Sequence, residues 1–520
     1  MSVGSEVLDA PQARADGGPF ATARQSIGRI GNWIESQLAR NEIWVAALCC
    51  AAIFQLGLIV THRPWLDEWQ ALLISRTAPT LGTMLDQLHY EGHPPLWYLL
   101  LGSLGGIVPA AWVFAAANLL LAAVVWWAII AKSPFSRSDR LLLLLNELLL
   151  FEVLAVSRSL TLGVALLFLL LAVWRSRWAW LVLALLPLCD FFFGVIACAL
   201  IAIRIRNRQD GGIFYPGIGL FAACGMIAAW TVVPAADVLT DPARGLLSGS
   251  LEFAEQVGSL LFPLQLGGYD HVAPGLPWLL FAPVFVYVCV KCLRSDRLAQ
   301  SLLFGFLALL FVFGCWLYPI YLRHTALAAF LFVALVWIRA ERKEPPPLSF
   351  SLWLWSAALC GLATGALNLS VPFDTAAKAT SVIERDKLGQ KLWFAFPAYR
   401  GIALSGESGI SFGNLDQLCA SQFVRWNFRT RIKDRAHFYA ALRNAERRYG
   451  SFYFVTDLPN LLPPDLAQPL GRVGAGYDGQ PYNLWKVGRG EVSESQLPGC
   501  VPGLRKWPGV NSSAHQSPQG

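Results

Sequence analysis

The sequence predicts an α-helical polytopic membrane protein with about eleven transmembrane helices and a C-terminal extracytoplasmic α/β domain. Of its 520 residues, 55% are hydrophobic and 14% are charged, and the mean hydropathy is +0.48. Charged residues make up roughly 25% of an ordinary soluble domain. The apolar residues come in long blocks closed by Arg or Lys, as needed to cross about 30 Å of hydrocarbon. After residue 370 the composition changes abruptly to polar, which predicts a separate soluble domain.

The apolar blocks define the candidate spans. They are 43–60, 110–131, 141–156, 160–174, 178–189, 191–203, 214–233, 276–290, 299–316, 324–338 and 350–369. A further apolar stretch, 94–108, decides the topology, because a span there would move every later loop to the other side. Cytoplasmic loops are rich in Lys and Arg. Five Lys- and Arg-rich loops connect the later spans, and they lie on the same side of the membrane as the N-terminus only if 94–108 does not span. We therefore expect 94–108 to lie along the membrane, introduced by Pro94 and Pro95.

This topology divides the chain into three regions. Residues 1–42 form a cytoplasmic N-terminal segment, and no small-residue cleavage site follows the first apolar run, which therefore stays as a span. Residues 43–369 form the transmembrane domain, in which 62–109 is the first extracytoplasmic loop. Residues 370–520 form the extracytoplasmic soluble domain. The protein is thus expected in the plasma (inner) membrane, with its C-terminal domain in the periplasm.

The C-terminal region has the pattern of a folded α/β domain. Residues 436–448 predict a helix, and 451–457 and 482–487 predict strands. The last dozen or so residues are rich in Ser, Gly and Pro, which predicts a disordered tail. Only two of the eleven cysteines, Cys419 and Cys500, fall in this domain. A disulfide between them suits an oxidising compartment, but the spacing leaves open whether they meet.

Several function classes find no support in the motifs. The chain contains no GxxxxGK[ST] phosphate loop and no GxGxxG between a strand and a helix. It contains no HExxH and no Cys/His cluster with zinc spacing, so we predict no metal cofactor, although a divalent metal stays open. The net charge of +7 is carried by the cytoplasmic loops, which indicates topology and not nucleic-acid binding.

The first extracytoplasmic loop carries the strongest motif. "WLDEWQALLIS" places Asp67 and Glu68 just after the first span, and "LHYEGHPPLWYLLLGSL" follows at 88–104. These stretches resemble the first loop of the GT-C membrane glycosyltransferases, especially the bacterial relatives of the protein O-mannosyltransferases (glycosyltransferase family 39) and of lipid A aminoarabinose transferase. "SRSLTLGVALL" (157–167) and "YLRHTALAAFLF" (321–332) extend the resemblance more weakly, over roughly the first 340 residues.

The resemblance implies direct, inverting sugar transfer from a polyprenyl-phosphate-linked donor, without a covalent intermediate. The acceptor hydroxyl must lose a proton as it attacks, for which a carboxylate is a suitable general base. Asp67 matches the acidic position of the family. The leaving phosphate needs charge stabilisation, which a guanidinium supplies in bidentate form. Arg158 and Arg323, at extracytoplasmic span ends, are the candidates.

Other residues of the motifs keep more than one interpretation. Glu68 could position the base, bind a metal or face water. His93 could contact the donor phosphate or the acceptor, or could shape the helix entry before Pro94. His324, beside Arg323, could bind substrate or snorkel at the span end. The tryptophans of the loop could stack on a sugar or anchor the membrane boundary.

The sequence therefore predicts a membrane glycosyltransferase that modifies lipopolysaccharide or another envelope glycan, with protein as the less favoured acceptor. Its partners would be the lipid-linked sugar, a glycan or lipid-linked acceptor and membrane lipids. A transporter or flippase is the competing class, but the sequence shows no internal repeat of the kind many transporters have. A lipid-linked glycan polymerase or ligase is a third candidate function. It would place the essential residues in 234–275 and not in 62–98.

Overall fold

The computed structural model describes residues 29, 31, 33–207, 214–238, 244–264, 269, 276–427, 432–494 and 497–510. A helical region extends to residue 370, and an α/β domain follows it. This arrangement confirms the fold class expected from the sequence. The predicted disordered tail, from residue 511 on, and most of the segment 1–42 lie outside the described residues, as do 239–243, 265–268 and 270–275 within the loop 234–275.

The α-helices of the first region are labelled in chain order. They are α1 (Asn41–Thr61), α2 (Leu66–Thr77), α3 (Leu81–Glu91), α4 (Leu96–Leu104), α5 (Val113–Trp127), α6 (Arg137–Leu145), α7 (Ser159–Ala172), α8 (Ala179–Leu185), α9 (Phe191–Asn207), α10 (Phe214–Val232), α11 (Leu246–Ser259), α12 (Leu276–Leu293), α13 (Arg297–Trp316), α14 (Leu322–Ala340) and α15 (Leu348–Ser370).

Six of the described helices are long and apolar enough to cross a membrane. They are α1, α5 with its flanking turns (Ala110–Lys132), α10, α13, α14 and α15. Three shorter apolar helices are Ser159–Ala172, Ala179–Leu188 and Pro277–Leu293. Helix α14 is central, since 83% of its apolar 18-residue stretch is buried inside the protein. The corresponding buried share of α10 is 17%. The chain is therefore a multi-pass membrane protein.

The stretch 94–108 contains only a short helix. Helix α4 has nine residues, so it extends about 14 Å at roughly 1.5 Å per residue, about half of the hydrocarbon thickness. It cannot cross the bilayer by itself. The preceding helices α2 and α3 are also short, and the loop 62–109 folds as a compact helical layer between α1 and α5.

The expected span 141–156 is broken. Helix α6 ends at Leu145, and a wide π-type turn, Leu148–Val153, follows. The Asn146 side chain accepts a hydrogen bond from the Leu148 N–H at 3.0 Å, which caps the new turn. Helix α15 packs directly on the break, because a Cβ at Gly361 would overlap the Leu145 carbonyl. The break leads the chain into Ser157 and Arg158, which belong to the candidate site.

The C-terminal domain contains one mixed six-stranded sheet. Its strands are β1 (Trp393–Ala395), β2 (Phe412–Asn414), β3 (Cys419–Ser421), β4 (Phe452–Thr456), β5 (Ala467–Val473) and β6 (Tyr482–Val487), in the order β3-β2-β1-β4-β6-β5. Strand β1 is parallel to β2 and β4, and the other pairs are antiparallel. The helices are α16 (Ala376–Arg385), α17 (Arg400–Ser408) and α18 (Arg435–Tyr449). Helix α18 and strands β4 and β6 confirm the three predicted elements.

Cys419 of β3 and Cys500 form a disulfide across 81 residues of sequence. It ties the C-terminal stretch to the edge of the sheet, next to the backbone hydrogen bond between the Cys500 N–H and the Ala420 carbonyl at 2.9 Å. The covalent link limits the freedom of the unfolded domain, which typically contributes about 2–4 kcal/mol.

We predict that Cys419→Ser and Cys500→Ser each lower the midpoint of thermal unfolding of the purified protein, because the unfolded domain gains freedom. Cys198→Ser, at an exposed position of α9, is the matched control and should leave the midpoint unchanged. Reductant should shift the wild-type midpoint to that of the two variants. An equal midpoint for all proteins, with and without reductant, would show that the disulfide contributes nothing.

Candidate active site

Glu68 is a fully buried anchor at the start of α2. Its Oε2 accepts the Trp65 N–H at 3.0 Å and lies 2.8 Å from His62 Nε2. Its Oε1 accepts the Ser157 N–H at 2.7 Å. We call Glu68, His62, Trp65 and Ser157 the Glu68 cluster. Because both carboxylate oxygens are bound and the side chain is 0% exposed, the geometry favours a positioning role for Glu68 over a water-facing one.

Asp67 lies on the same helix turn and is the accessible acid of the pair. Its Oδ2 lies 3.1 Å from Arg158 Nη2, and the Asp67 side chain is 40% exposed while that of Arg158 is 7% exposed. The Glu68 cluster explains this pairing, because Glu68 binds the backbone of Ser157, which directly precedes Arg158. The result is an accessible carboxylate beside a buried guanidinium.

Aromatic rings hold the Arg158 guanidinium in place. Its carbon lies 4.8 Å from the centre of the Trp65 ring and 5.0 Å from that of Tyr269. Such contacts are typical of cation–π pairs. The Tyr269 hydroxyl donates to Glu152 Oε1 at 2.7 Å, so the acid inside the broken span supports the ring that packs on Arg158.

His93 joins the site from the loop between α3 and α4. Its Nδ1 lies 3.3 Å from Asp190 Oδ2, and its side chain is 46% exposed. Partial removal from water by itself lowers the pKa of His93, but the hydrogen bond and charge of Asp190 and the charges of Glu91 and Asp67 outweigh it and raise the pKa. His93 therefore keeps a positive charge to a higher pH than an ordinary histidine.

Glu91 is a second acid of the site, and it was not a candidate in the sequence. Its Oε1 accepts a hydrogen bond from Gln70 Nε2 at 2.8 Å. Removal from water raises the pKa of Glu91 to about 7; the bond from Gln70 and the charge of His93 oppose this, and the charge of Asp67 adds to it. A carboxyl group with such a pKa is well matched to proton transfer near neutral pH.

The two residues expected from "YLRHTALAAFLF" lie at the start of α14. His324 Nδ1 accepts the Tyr321 N–H at 3.1 Å, and His324 is close enough to Arg158 and His93 to feel their charges. Arg323 stacks on the Tyr321 ring, with 4.5 Å between its guanidinium carbon and the ring centre. Both residues thus lie at the start of α14 within electrostatic range of each other, and His324 also lies within range of Arg158 and His93.

The C-terminal domain covers this region and fixes α2 and α3. Gln70 donates to the Val424 carbonyl at 2.6 Å and accepts the Val424 N–H at 3.0 Å. The neighbouring Arg425 lies over the Tyr90 ring at 3.9 Å. Gln70 therefore connects Glu91 directly to the C-terminal domain.

The residues that are paired or whose charges act on one another are named here the charged cluster. They are Asp67, Glu91, His93, Arg158, Asp190 and His324. The sequence indicated four of these as site residues and favoured a turn position for Asp190 over a place in the cavity. It missed Glu91, although Glu91 stands two residues before His93 in "YEGHPP". Within the described ranges, no three His, Cys, Asp or Glu side chains form a group that could hold a metal ion.

Comparisons with known proteins give one structural match. The chain is similar to the crystal structure of ArnT from Cupriavidus metallidurans bound to undecaprenyl phosphate, with a TM-score of 0.45 and 11% sequence identity. The match covers 85% of this chain and 97% of that one. No family model matches the chain, and no curated protein is significantly similar to it in sequence.

We predict that Glu68→Gln destabilises the protein. A glutamine has one accepting oxygen, so at least one of the three donors around position 68 loses its buried partner, at a cost of about 1–3 kcal/mol. Asp67→Asn is the matched control, because Asp67 is partly exposed and an asparagine keeps an oxygen that accepts from Arg158. Thermal unfolding of the two purified variants measures the difference. A Glu68→Gln midpoint equal to that of Asp67→Asn would contradict the anchoring role.

Proposed function

We propose that the chain is an integral-membrane glycosyltransferase that moves a sugar from a polyprenyl-phosphate-linked donor to an extracytoplasmic acceptor, with Asp67 as general base. One observation carries the proposal. A half-exposed carboxylate, Asp67, lies 3.1 Å from a buried guanidinium, Arg158, beside the end of the first span. The reaction needs these two groups side by side, a proton acceptor and a stabiliser of a leaving phosphate.

The donor phosphate would bind between Arg158, His93 and His324. Arg158 is fixed by rings and by the Ser157 backbone, and His93 adds a positive charge. An incoming phosphate competes with Asp67 for the guanidinium, which frees the carboxylate to accept the proton of the acceptor hydroxyl. Arg323, stacked on Tyr321 at the same helix start, would serve the donor at a greater distance from the reaction.

The transfer itself is a single displacement. The acceptor oxygen forms a bond to the anomeric carbon while its proton passes to Asp67. The bond from the anomeric carbon to the phosphate oxygen breaks, and its electron pair stays on the phosphate, where Arg158 and His93 stabilise the added charge. Glu68 keeps the Asp67 carboxylate next to the Arg158 guanidinium. Glu91 is the second proton acceptor within reach of the same charges.

The place of the reaction follows from the topology expected above. The protein would lie in the inner membrane, with the N-terminus in the cytoplasm and residues 370–520 in the periplasm. The disulfide of the C-terminal domain supports an oxidising compartment. The acceptor would be lipopolysaccharide or another envelope glycan, with protein less favoured. The described acids of the site come from 62–109 and Asp190, which favours a transferase over a polymerase whose essential residues lie in 234–275.

We predict that Asp67→Asn inserts normally but loses sugar transfer by about 10²–10⁴-fold, the usual contribution of a positioned base. Cells carrying the variant should show the same one-sugar deficit in the envelope glycan as a deletion strain, measured by mass spectrometry at equal membrane level. Glu91→Gln is tested in parallel. An intact glycan in Asp67→Asn together with its loss in Glu91→Gln would make Glu91 the base, and an intact glycan in both would overturn the proposal.

We also predict that donor binding weakens as the pH rises through the raised pKa of His93, because only the protonated imidazole attracts the phosphate. Asp190→Asn removes the main group that raises this pKa, so the loss should begin at a lower pH. The probe is a polyprenyl phosphodiester, whose charge is constant through the neutral range. His93→Gln should bind weakly without this pH dependence. The same pH profile in wild type and both variants would contradict a role for His93.

A further inference from the structure

The sheet of the C-terminal domain has two faces with different neighbours. Trp393 of β1 and Ile402 of α17 belong to the hydrophobic core that continues into the membrane helices. Phe394 of β1 packs with Phe438 and Leu442 of α18 in a separate core. Adjacent residues of a strand point to opposite faces of a sheet. Helix α18 therefore covers the face that is turned away from the membrane helices, and its outer surface borders the aqueous compartment.

The outer surface of α18 is strongly basic. Four arginines of the helix and the lysine shortly before it are exposed, and we call them the basic face: Lys433, Arg435, Arg443, Arg447 and Arg448. Within the part of the chain that the structure describes, none of the five forms an ion pair with a carboxylate. The nearby Asp434 is engaged as the helix cap, because it accepts the His437 N–H at 2.7 Å. The positive charge of the basic face is therefore open to a ligand.

Part of this charge is placed against the stability of the helix. Arg443 and Arg447 are four positions apart, so they are neighbours on one side of α18, where like charges repel. Arg435 lies in the first turn, the end at which the helix dipole disfavours a cation. Arg448 lies in the last turn, where a cation is favourable. An anionic ligand along the helix would explain the three arginines whose positions the helix itself disfavours.

Two tyrosines hold the arginines at the ends of the basic face. Arg435 Nε donates to the Tyr439 hydroxyl at 3.1 Å, and that hydroxyl donates to the Leu461 carbonyl at 3.0 Å. The Arg448 guanidinium carbon lies 5.5 Å from the centre of the Tyr449 ring. At roughly 1.5 Å per residue, the positions of the two arginines are about 20 Å apart along the helix. The basic face is thus long, and its two ends are positioned before a ligand binds.

The other exposed positions of this surface are small or polar. They are Ala436, Ala440 and Asn444. Leu458 is the only large hydrophobic residue that is exposed in the described part of the C-terminal domain. Interfaces between proteins usually have an apolar centre with aromatic side chains, which this surface lacks. A guanidinium binds a carboxylate through two parallel hydrogen bonds. The basic face therefore suits a hydrophilic chain that carries carboxylates along its length.

We propose that the basic face binds an acidic polysaccharide, one whose sugars carry carboxylate groups. Arg443 and Arg447 bind carboxylates at the centre of the face, and Arg435 and Arg448 bind those further along the polysaccharide. The sheet separates this face from α17, whose Gly406 packs on α2, so the face is a docking site outside the reaction. It holds the protein beside acidic glycans of the envelope. The inference uses the extracytoplasmic position of the C-terminal domain but not the proposed sugar transfer.

The test measures polysaccharide binding by the full-length protein in nanodiscs of zwitterionic lipid. The probes are polygalacturonate, which has a carboxylate on each sugar, and dextran, which is neutral. The wild type should bind polygalacturonate, more weakly as added salt screens the charges, and should not bind dextran. The double variant Arg443→Glu/Arg447→Glu should weaken polygalacturonate binding by about tenfold or more, which is ~1.4 kcal/mol. Ala440→Glu adds a carboxylate to the face without removing an arginine, and it should also weaken binding.

A matched control separates the basic face from the net charge of the protein. Lys378 of α16 and Arg472 of β5 are exposed and lie outside the basic face. The double variant Lys378→Glu/Arg472→Glu changes the net charge by the same amount, and it should bind polygalacturonate like the wild type. Equal loss in the two double variants would show unspecific charge attraction and overturn the docking site. Wild-type protein that does not bind polygalacturonate would overturn it as well.

Further outcomes distinguish the kind of partner and the two proposals. Polyglutamate that binds at least as tightly as polygalacturonate, with the same dependence on Arg443 and Arg447, would indicate an acidic protein and overturn the assignment to a glycan. Binding of phosphatidylglycerol vesicles with that dependence would indicate a membrane surface and also overturn it. Asp67→Asn should bind polygalacturonate normally. If Asp67→Asn retains transfer while Arg443→Glu/Arg447→Glu loses polygalacturonate binding, the proposed base fails and the docking site stands.

Discussion

The buried carboxylate of Glu68 is the interaction on which the rest of the site depends. It joins the end of α1 and the first turn of α2, which are close in sequence, to the link before α7, which lies 89 residues further along the chain. A buried carboxylate is costly unless its oxygens are bound, and here they receive backbone and imidazole partners. This requirement fixes Asp67 and Arg158 as neighbours, because each is adjacent in sequence to a residue of the Glu68 cluster.

The C-terminal domain also helps to hold the site in place. It contacts α2 along its length: a Cβ at Gly406 would overlap the Trp69 indole, Gln70 pairs with Val424, and the Arg505 N–H donates to the Thr77 carbonyl at 2.8 Å. Helix α2, which carries the proposed base, is thus held between the membrane helices and the soluble domain. Changes in the soluble domain would therefore reach the charged cluster through α2, and a truncated transmembrane domain would lack one wall of its site.

The sequence predicted the parts of this arrangement that depend on local signals. The apolar runs located the helices. The resemblance of the first loop indicated Asp67, and the span ends left Arg158 and Arg323 as the two candidate arginines. Glu91 was missed, and Asp190 was expected first as a turn residue, because their role appears only when α3 and the turn before α9 meet around His93. The break at Asn146 was missed because Asn146 and Glu147 stand between leucine runs that together are long enough for one span. The role of Glu68 was open, because its burial depends on Ser157, which lies 89 residues away in the sequence.

The most direct test of the account separates the tasks of Asp67 and Arg158. Donor affinity and the single-turnover transfer rate are measured for Asp67→Asn, Arg158→Gln and the double variant, at equal amounts of folded protein. The account predicts that Arg158→Gln weakens donor binding by about tenfold or more, whereas Asp67→Asn keeps donor binding and loses about a hundredfold or more in transfer at full donor occupancy. Equal loss of donor binding in the two single variants, or full transfer in Asp67→Asn, would contradict it.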